Sequence, residues 1–400
     1  MRLTLSRALG LVLLACVAVG LARAESPPVV PPPQAPAPAA PAPSALPDPF
    51  KLYDRDGDGK LQREEMPPEA RQRFDRLDLD KDGVLTREEA ARARQANNPA
   101  PPRARVPDAI EFRRDVPYAG TDNPRQRLDV LLPRKRRNDR PLPVVIYIHG
   151  GAWLAGDKGS GVGALAPLVE GGAMVGVSVG YRLTPEARWP AQLHDCKAAV
   201  RWVRAHAAEL GIDPDRVAAM GHSAGGHLVA MLGVTGDAPA THGELGPHVK
   251  ESTSVRCVVN FFGPSDLLTI GDHPSKLKHN EANSPEGKLL GGAVHAVPDR
   301  ARDASPTHWV TAADSPMLHI HGTKDDVVPY DQSVRLDAAL RKAGVETALI
   351  SIEGGGHGGF RAQELDTRVR RFLDRHLLGV SLPAPESATL TQQPTAPDKK

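Results

Sequence analysis

Between residues 144 and 378 the chain alternates short apolar runs with longer segments whose apolar residues recur every three or four positions. The short runs are 144–148, 173–179, 216–220, 255–261, 317–320 and 347–352. Each is too short for a helix that could bury itself, and each reads as a strand covered on both faces. The segments 191–210, 225–234, 332–343 and 364–378 carry helical spacing. Strand and helix in strict turn predict a doubly wound, mostly parallel α/β sheet with helices on both faces. Residues 264–316 break the pattern and predict an irregular insertion over the edge of the sheet where ligands bind.

The rest of the chain divides by composition. Residues 1–24 place Arg2 and Arg7 before an apolar run and end on the small residues Ala22 and Ala24, the layout of an export signal cleaved after Ala24. Leu13-Leu14-Ala15-Cys16 offers a second reading, in which Cys16 is lipidated and the chain is tethered. No later segment has the roughly 18 apolar residues needed to span a bilayer, so a soluble or lipid-anchored mature protein is expected, and the export signal makes it secreted or periplasmic. Residues 25–48 are mostly Pro and Ala and form a spacer. A folded unit at 49–96, a linker at 97–112, a large domain at 113–380 and a disordered tail at 381–400 complete the division. Cys196 and Cys257, in a helix and a strand, are expected as buried free thiols. With 50 basic against 48 acidic residues the charge is balanced, and the run Arg134–Arg137 reads as a solvated loop, so nucleic acid is not an implied partner.

The 49–96 unit repeats one pattern. Asp54, Asp56, Asp58 and Glu65 stand at positions 1, 3, 5 and 12 of a first loop, and Asp78, Asp80, Asp82 and Glu89 at the same positions of a second. A hard cation needs six to eight oxygens, which these carboxylates supply with the carbonyls of Lys60 and Val84 and a water-mediated position beside Gln62 or Thr86. Gly59 and Gly83 permit the sharp turn. Leu61 and Leu85 should pair between the loops, and Phe50 and Phe74 should pack between helices. The repeat resembles an EF-hand pair, a small all-α module binding two Ca2+. Glu at position 12 and an aromatic before each loop separate it from a dockerin. A permanently filled structural module is the reading favoured over a sensor, because extracellular calcium would saturate it.

Gly221-His222-Ser223-Ala224-Gly225 lies where a strand-like run meets a helix-like one, the setting in which a serine sits on a sharp turn with its hydroxyl exposed. A serine needs a base, and the base an orienting carboxylate. His357, in a glycine-rich loop after the last strong strand, and Asp325, in the loop after the strand before it, follow Ser223 in that order. Asp326 is the neighbouring alternative to Asp325. His222, His227, His319 and His321 are expected to pack or bond to backbone. Gly150, Gly151 and the amide of Ala224 are the expected oxyanion donors, with His149 bracing the turn. Trp153 is expected as a pocket wall or as packing. No cofactor for catalysis is implied, and no clustered His/Cys pattern suggests a catalytic metal.

Taken together, HGGAW at 149–153, the run 180–207, GHSAGG at 221–226, HGTKDDVVP at 321–329 and GGGHGGF at 354–360 resemble the α/β-hydrolase serine esterases of the bacterial feruloyl and acetylxylan esterase type, related to the hormone-sensitive lipase group. The resemblance implies an α/β-hydrolase fold and hydrolysis of short-chain or plant-polysaccharide esters through an acyl-enzyme. It differs at Ala152, where many relatives carry a third glycine, which bears on pocket shape. An arylformamidase or serine peptidase with the same three residues, or a calcium-dependent interaction module with a vestigial hydrolase domain, are the alternative readings.

Overall fold

The computed structural model of the chain describes residues 50, 53–66, 71, 74, 78, 81–86, 89, 105–184 and 186–393. Two compact units, Met1–Pro99 and Ala100–Lys400, divide it. The export signal, Cys16, the spacer and Asp80 lie outside the described residues.

In the first unit, Leu61–Gln62 and Val84–Leu85 form a short antiparallel bridge in which Leu61 faces Leu85. Both leucines are fully buried and share a cluster with Phe50, Met66 and Phe74. The two position-8 leucines and the two aromatics thus meet as the repeat implied.

The second unit is built on nine strands: β1 (Ile110–Pro117), β2 (Arg127–Pro133), β3 (Leu142–Ile148), β4 (Val175–Val179), β5 (Ile212–His222), β6 (Cys257–Phe261), β7 (Met317–Gly322), β8 (Thr347–Glu353) and β9 (Ala388–Thr391). Their order across the sheet is β9-β8-β7-β6-β5-β3-β4-β2-β1. The pairs β1/β2 and β2/β4 are antiparallel. From β4 to β9 every pairing is parallel. Helices α1 (Gly161–Val169), α2 (Ala191–Ala205), α3 (Ala224–Thr235), α4 (Asp331–Ala343) and α5 (Leu365–Leu378) cover it.

Strand periodicity sends alternate residues to opposite faces. Val144, Ile146 and Ile148 of β3 join one core with α2, α3 and α4, through residues such as Leu193, Leu228 and Leu336. Val145 and Tyr147 join the other with α1 and α5, through Leu165, Val169, Phe372 and Leu373. Cys196 and Cys257 are both buried and free. They belong to these two different cores, which lie on opposite faces of the sheet.

Several elements differ from the expectations. β1 and β2 lie ahead of the recognised strands, because Asp129 interrupts the apolar run of β2; it is buried in an ion pair with Lys158 at 3.1 Å. The tail expected to be disordered supplies β9, whose residues Ala388–Thr391 lie in register with Ile350–Glu353 of β8. Backbone pairing at a sheet edge, anchored by Ser387 Oγ accepting from the Leu349 amide, needs little apolar sequence. Helix 191–210 breaks at His206, where a separate turn, Ala207–Leu210, begins. The 264–316 insertion contains three short helices, Pro285–Leu290, Pro298–Asp303 and Pro306–Trp309, each started by proline. It docks on α3, where Ala304 O lies 2.7 Å from His227 Nε2. Among the described residues no helix is long and apolar enough to cross a membrane.

Candidate active site

Ser223 stands between β5 and α3 with φ 55° and ψ −121°. That backbone is costly for a residue with a Cβ, and such strain persists where the surroundings over-determine it. Here they do. A Cβ on Gly225 would sit 2.1 Å from the Ile148 carbonyl oxygen, so the turn is pressed against the end of β3. Gly225→Val is expected to destabilise the domain by at least about 3 kcal/mol, beyond the usual cost of overpacking; a lowered melting midpoint checks this, and an unchanged midpoint would contradict the packing argument.

Three loops leave the carboxyl ends of β5, β7 and β8 and bring Ser223, Asp325 and His357 together. His357 Nε2 is 3.0 Å from Ser223 Oγ, and His357 Nδ1 is 2.8 Å from Asp325 Oδ2. The β7 and β8 loops are stitched by backbone bonds, Thr323 N to Ile352 O at 2.9 Å and Lys324 N to Gly355 O at 2.8 Å. Asp325 Oδ1 accepts the amides of Val327 and Val328, each at 2.9 Å. Burial would push this carboxyl up, yet hydrogen bonds from His321, His357 and the Val327 amide outweigh it and hold the group well below the usual carboxylate range. Asp326, the neighbouring alternative, points away and pairs with Lys276 at 2.5 Å.

The glycine turn after β3 meets the serine from the other side. A Cβ on Gly150 would lie 3.3 Å from Ser223 Cβ, so this backbone abuts the reacting hydroxyl. Gly151 has φ 114°, and the amides of Leu154 and Ala155 close the turn onto its carbonyl. No hydrogen bond among the described residues takes the amide of Gly150 or Gly151. Ala224 opens α3, where first-turn amides have no helical acceptor. His149 braces the turn, its Nδ1–H donating to Gly150 O at 2.7 Å. Its ring stacks on Tyr181 at 4.3 Å, whose hydroxyl donates to His149 O at 3.0 Å. Burial lowers the His149 imidazole to about 4, so it is neutral. These groups can activate a hydroxyl and receive the negative charge that develops on an attacked carbonyl oxygen.

Trp153 takes the packing alternative. It is 1 % exposed and meets His227 edge-on at 5.2 Å. His222 stacks on Phe261 at 4.2 Å, and His319 lies 3.3 Å from Asn260 Nδ2. Burial lowers His222, His227 and His319 to about 4. His321 is buried and bonds to backbone as expected, its Nε2 2.9 Å from Val328 O, and the same nitrogen also lies 3.2 Å from Asp325 Oδ2. Phe262, not singled out from the sequence, meets His357 edge-on at 4.7 Å. A cleft of about 640 Å³ adjoins the His357 loop, lined among others by His222, Phe261, Phe262, Gly358 and Phe360.

In the first unit the carboxylates of Asp54, Asp56 and Asp58 converge, with ligand oxygens within 4.8 Å of one another. Glu65 folds back over the loop, accepting from Arg55 N at 2.8 Å and Gln62 N at 2.9 Å. In the second loop Asp78 Oδ2 accepts from Gly83 N at 3.1 Å, while its buried Oδ1 has no hydrogen-bond partner among the described residues. Glu89 Oε2 accepts from Thr86 N at 2.9 Å, and Asp82 Oδ1 from Val84 N at 2.8 Å. Lys60 directly precedes the Leu61–Gln62 bridge strand, and Val84 begins its partner. A buried carboxylate oxygen without a donor fits a hard cation better than a loop closed by hydrogen bonds alone.

Residues 128–340 match the BD-FAE family, and residues 48–66 and 70–89 each match the EF hand. Esterase LipC of Mycobacterium tuberculosis (strain ATCC 25618 / H37Rv) is 36% identical over 248 residues, covering 62% of this chain and 59% of that protein. Carboxylesterase NlhH of the same strain is 41% identical over 152 residues, 38% of this chain and 44% of that protein. The match thus spans less than two thirds of these curated relatives. Among solved structures, a truncated carbohydrate esterase from gut microbiota is similar with TM-score 0.62 and 33% identity, covering 68% of this chain and 98% of that one. Esterase 2 of Thermogutta terrifontis, phosphorylated by paraoxon, is similar with TM-score 0.53 and 26% identity, covering 70% of this chain and 97% of that one.

Proposed function

The chain belongs to the BD-FAE family, and from that membership we propose that it is a serine carboxylesterase in which Ser223, His357 and Asp325 carry the reaction. The observation that carries this reading is the unbroken relay from Ser223 Oγ to His357 Nε2 at 3.0 Å and from His357 Nδ1 to Asp325 Oδ2 at 2.8 Å. Ser223 Oγ attacks the ester carbonyl as its proton passes to His357 Nε2, and Asp325 stabilises the imidazolium that forms. The amides of Gly150, Gly151 and Ala224 receive the oxyanion. The alcohol leaves with the proton from Nε2, and water, deprotonated by the same nitrogen, releases the acid from Ser223.

Short acyl or plant-polysaccharide esters are the proposed substrates. The likeness to a carbohydrate esterase supports that class, and the aromatic cleft beside the His357 loop offers room for a substituent of the ester. The residues of the two loops from Asp54 to Glu65 and Asp78 to Glu89 would hold calcium, which supplies cross-linking of carboxylates and no step of the hydrolysis. The Arg2 and Arg7 layout ahead of an apolar run supports export.

Paraoxon tests the nucleophile directly. One phosphoryl group is expected on the tryptic peptide 217–250, which contains Ser223, appearing in step with the loss of 4-nitrophenyl acetate hydrolysis. Inactivation with the label on any other residue would overturn the assignment.

A further inference from the structure

Asp325 Oδ2 has two histidine partners, and the mechanism above uses one. His357 Nδ1 donates at 2.8 Å. His321, at the end of β7, places its Nε2 3.2 Å from the same oxygen and 2.9 Å from Val328 O. Its Nδ1 lies 2.8 Å from Ser333 Oγ on α4. Side-chain exposure is 0% for both His321 and Asp325, so water does not compete for these contacts. Nε2 faces two acceptors, a carboxylate and a carbonyl, and must carry a proton to bind either. Nδ1 faces a hydroxyl, which can donate to it. The geometry points to His321 as a positioning residue that acts through Asp325, its fixed Nε2–H sharing Oδ2 with His357 so that the carboxylate is both aimed at His357 and tempered in its pull on the imidazolium.

The carboxylate sits among three hydrogen-bond donors and a fourth N–H close by. Val327 and Val328 amides hold Oδ1, His357 Nδ1 hydrogen-bonds Oδ2, and His321 Nε2, hydrogen-bonded to Val328 O, approaches the same oxygen at 3.2 Å. Without His321, Oδ2 is free to swing, and its charge serves His357 alone. The first effect loosens the aim of His357 at Ser223 Oγ. The second makes His357 keep its proton to higher pH, so activity sets in later as pH rises. The groups facing this pair are few. His222 couples electrostatically to His357 from the end of β5, Tyr330 meets His321 edge-on at 5.6 Å, and His319 couples to it along β7. Asp326 is paired with Lys276. His222 and His319 are lowered by burial to about 4 and stay neutral across the working range.

The inference rests on the serine-esterase reading, and its test is separable from that reading's failure. The kcat/KM profile against pH is measured with 4-nitrophenyl acetate for the wild type, His321→Leu and His321→Gln. His321→Leu is expected to lower kcat about tenfold through lost aim, to change KM less than about twofold, and to move the acid limb up by about half a pH unit. His321→Gln, whose amide can donate to Oδ2, should return the limb to its wild-type place. A His321→Leu profile of wild-type shape, with or without loss of rate, would overturn the inference; labelling by paraoxon away from Ser223 would instead overturn the esterase reading beneath it. A second measurement needs no variant. In 15N-histidine-labelled wild type, His321 is expected to show a protonated Nε2 and an acceptor Nδ1 throughout the active pH range, and an unprotonated Nε2 would sink the proposal.

Discussion

Ser223→Ala is expected to lower kcat for 4-nitrophenyl acetate by roughly 10⁴- to 10⁶-fold, to the level that oxyanion donors and binding alone sustain. The magnitude follows from the arrangement. Nucleophile and base act as one unit, so removing either removes nearly all that the three residues achieve together. The fold should survive, because alanine keeps the Cβ that the φ 55° backbone already accommodates, and the bond lost is the one between the Ser223 hydroxyl and His357. A melting curve that overlays the wild type, beside absent turnover, is the expected pair of results. Turnover within tenfold of wild type would exclude Ser223 as the nucleophile. Asp325→Asn makes a graded companion: the amide would present the wrong hydrogen-bonding pattern to His357 Nδ1, and a loss of about 10⁴-fold follows from the misplaced tautomer.

The parts of the fold that could be read from sequence are those buried on both faces. β3, β4, β6 and β7 form mostly apolar runs because helices cover each side, and such runs stand out from their flanks. β1, β2 and β9 lie toward the edges, where antiparallel pairing or a single parallel neighbour stabilises a strand through its backbone. Asp129 splits the apolar residues Leu128 and Val130–Leu132 of β2, and Thr389 and Thr391 alternate with Ala388 and Leu390 in β9, so neither segment stands out as an uninterrupted apolar run. The site divides in the same way. Glycine-rich loops after strands mark where backbone must pass close to backbone, which is why the positions of Ser223, Gly150 and His357 were legible. His321 was not, because a histidine inside an apolar strand looks the same whether it bonds to a carbonyl or to a carboxylate. The signal available was its place: it ends β7, four residues before Asp325, where a short loop can return the acid to the strand that launched it. Trp153 follows a turn that looks exposed, but its left-handed backbone at φ 58° sends the indole into the core.

Removing calcium is expected to unfold the first unit while ester hydrolysis changes less than about twofold. The first loop gathers the carboxylates of Asp54, Asp56 and Asp58 within 4.8 Å. At that spacing each pair of charges repels by about 1 kcal/mol in water and by several times that near a protein surface. The described core opposing this repulsion is small, a cluster of Phe50, Leu61, Met66, Phe74 and Leu85, and a unit of this size rarely holds together on such a core without a metal. A cation at a concentration a hundredfold above its Kd contributes roughly 2.7 kcal/mol per site. Two sites therefore decide whether the unit folds. Excess chelator should remove its helical circular dichroism and open residues 50–89 to proteases, and millimolar calcium should restore both. Glu65→Gln combined with Glu89→Gln should reproduce the chelated state at calcium levels that fill the wild type. Ester hydrolysis has no reason to follow, because the chain divides at Pro99 into two compact units and every group assigned to the reaction lies in the second. Protease resistance unaltered by chelator would mean that the loops are not calcium sites, whereas a kcat loss above tenfold would mean that the first unit regulates the second.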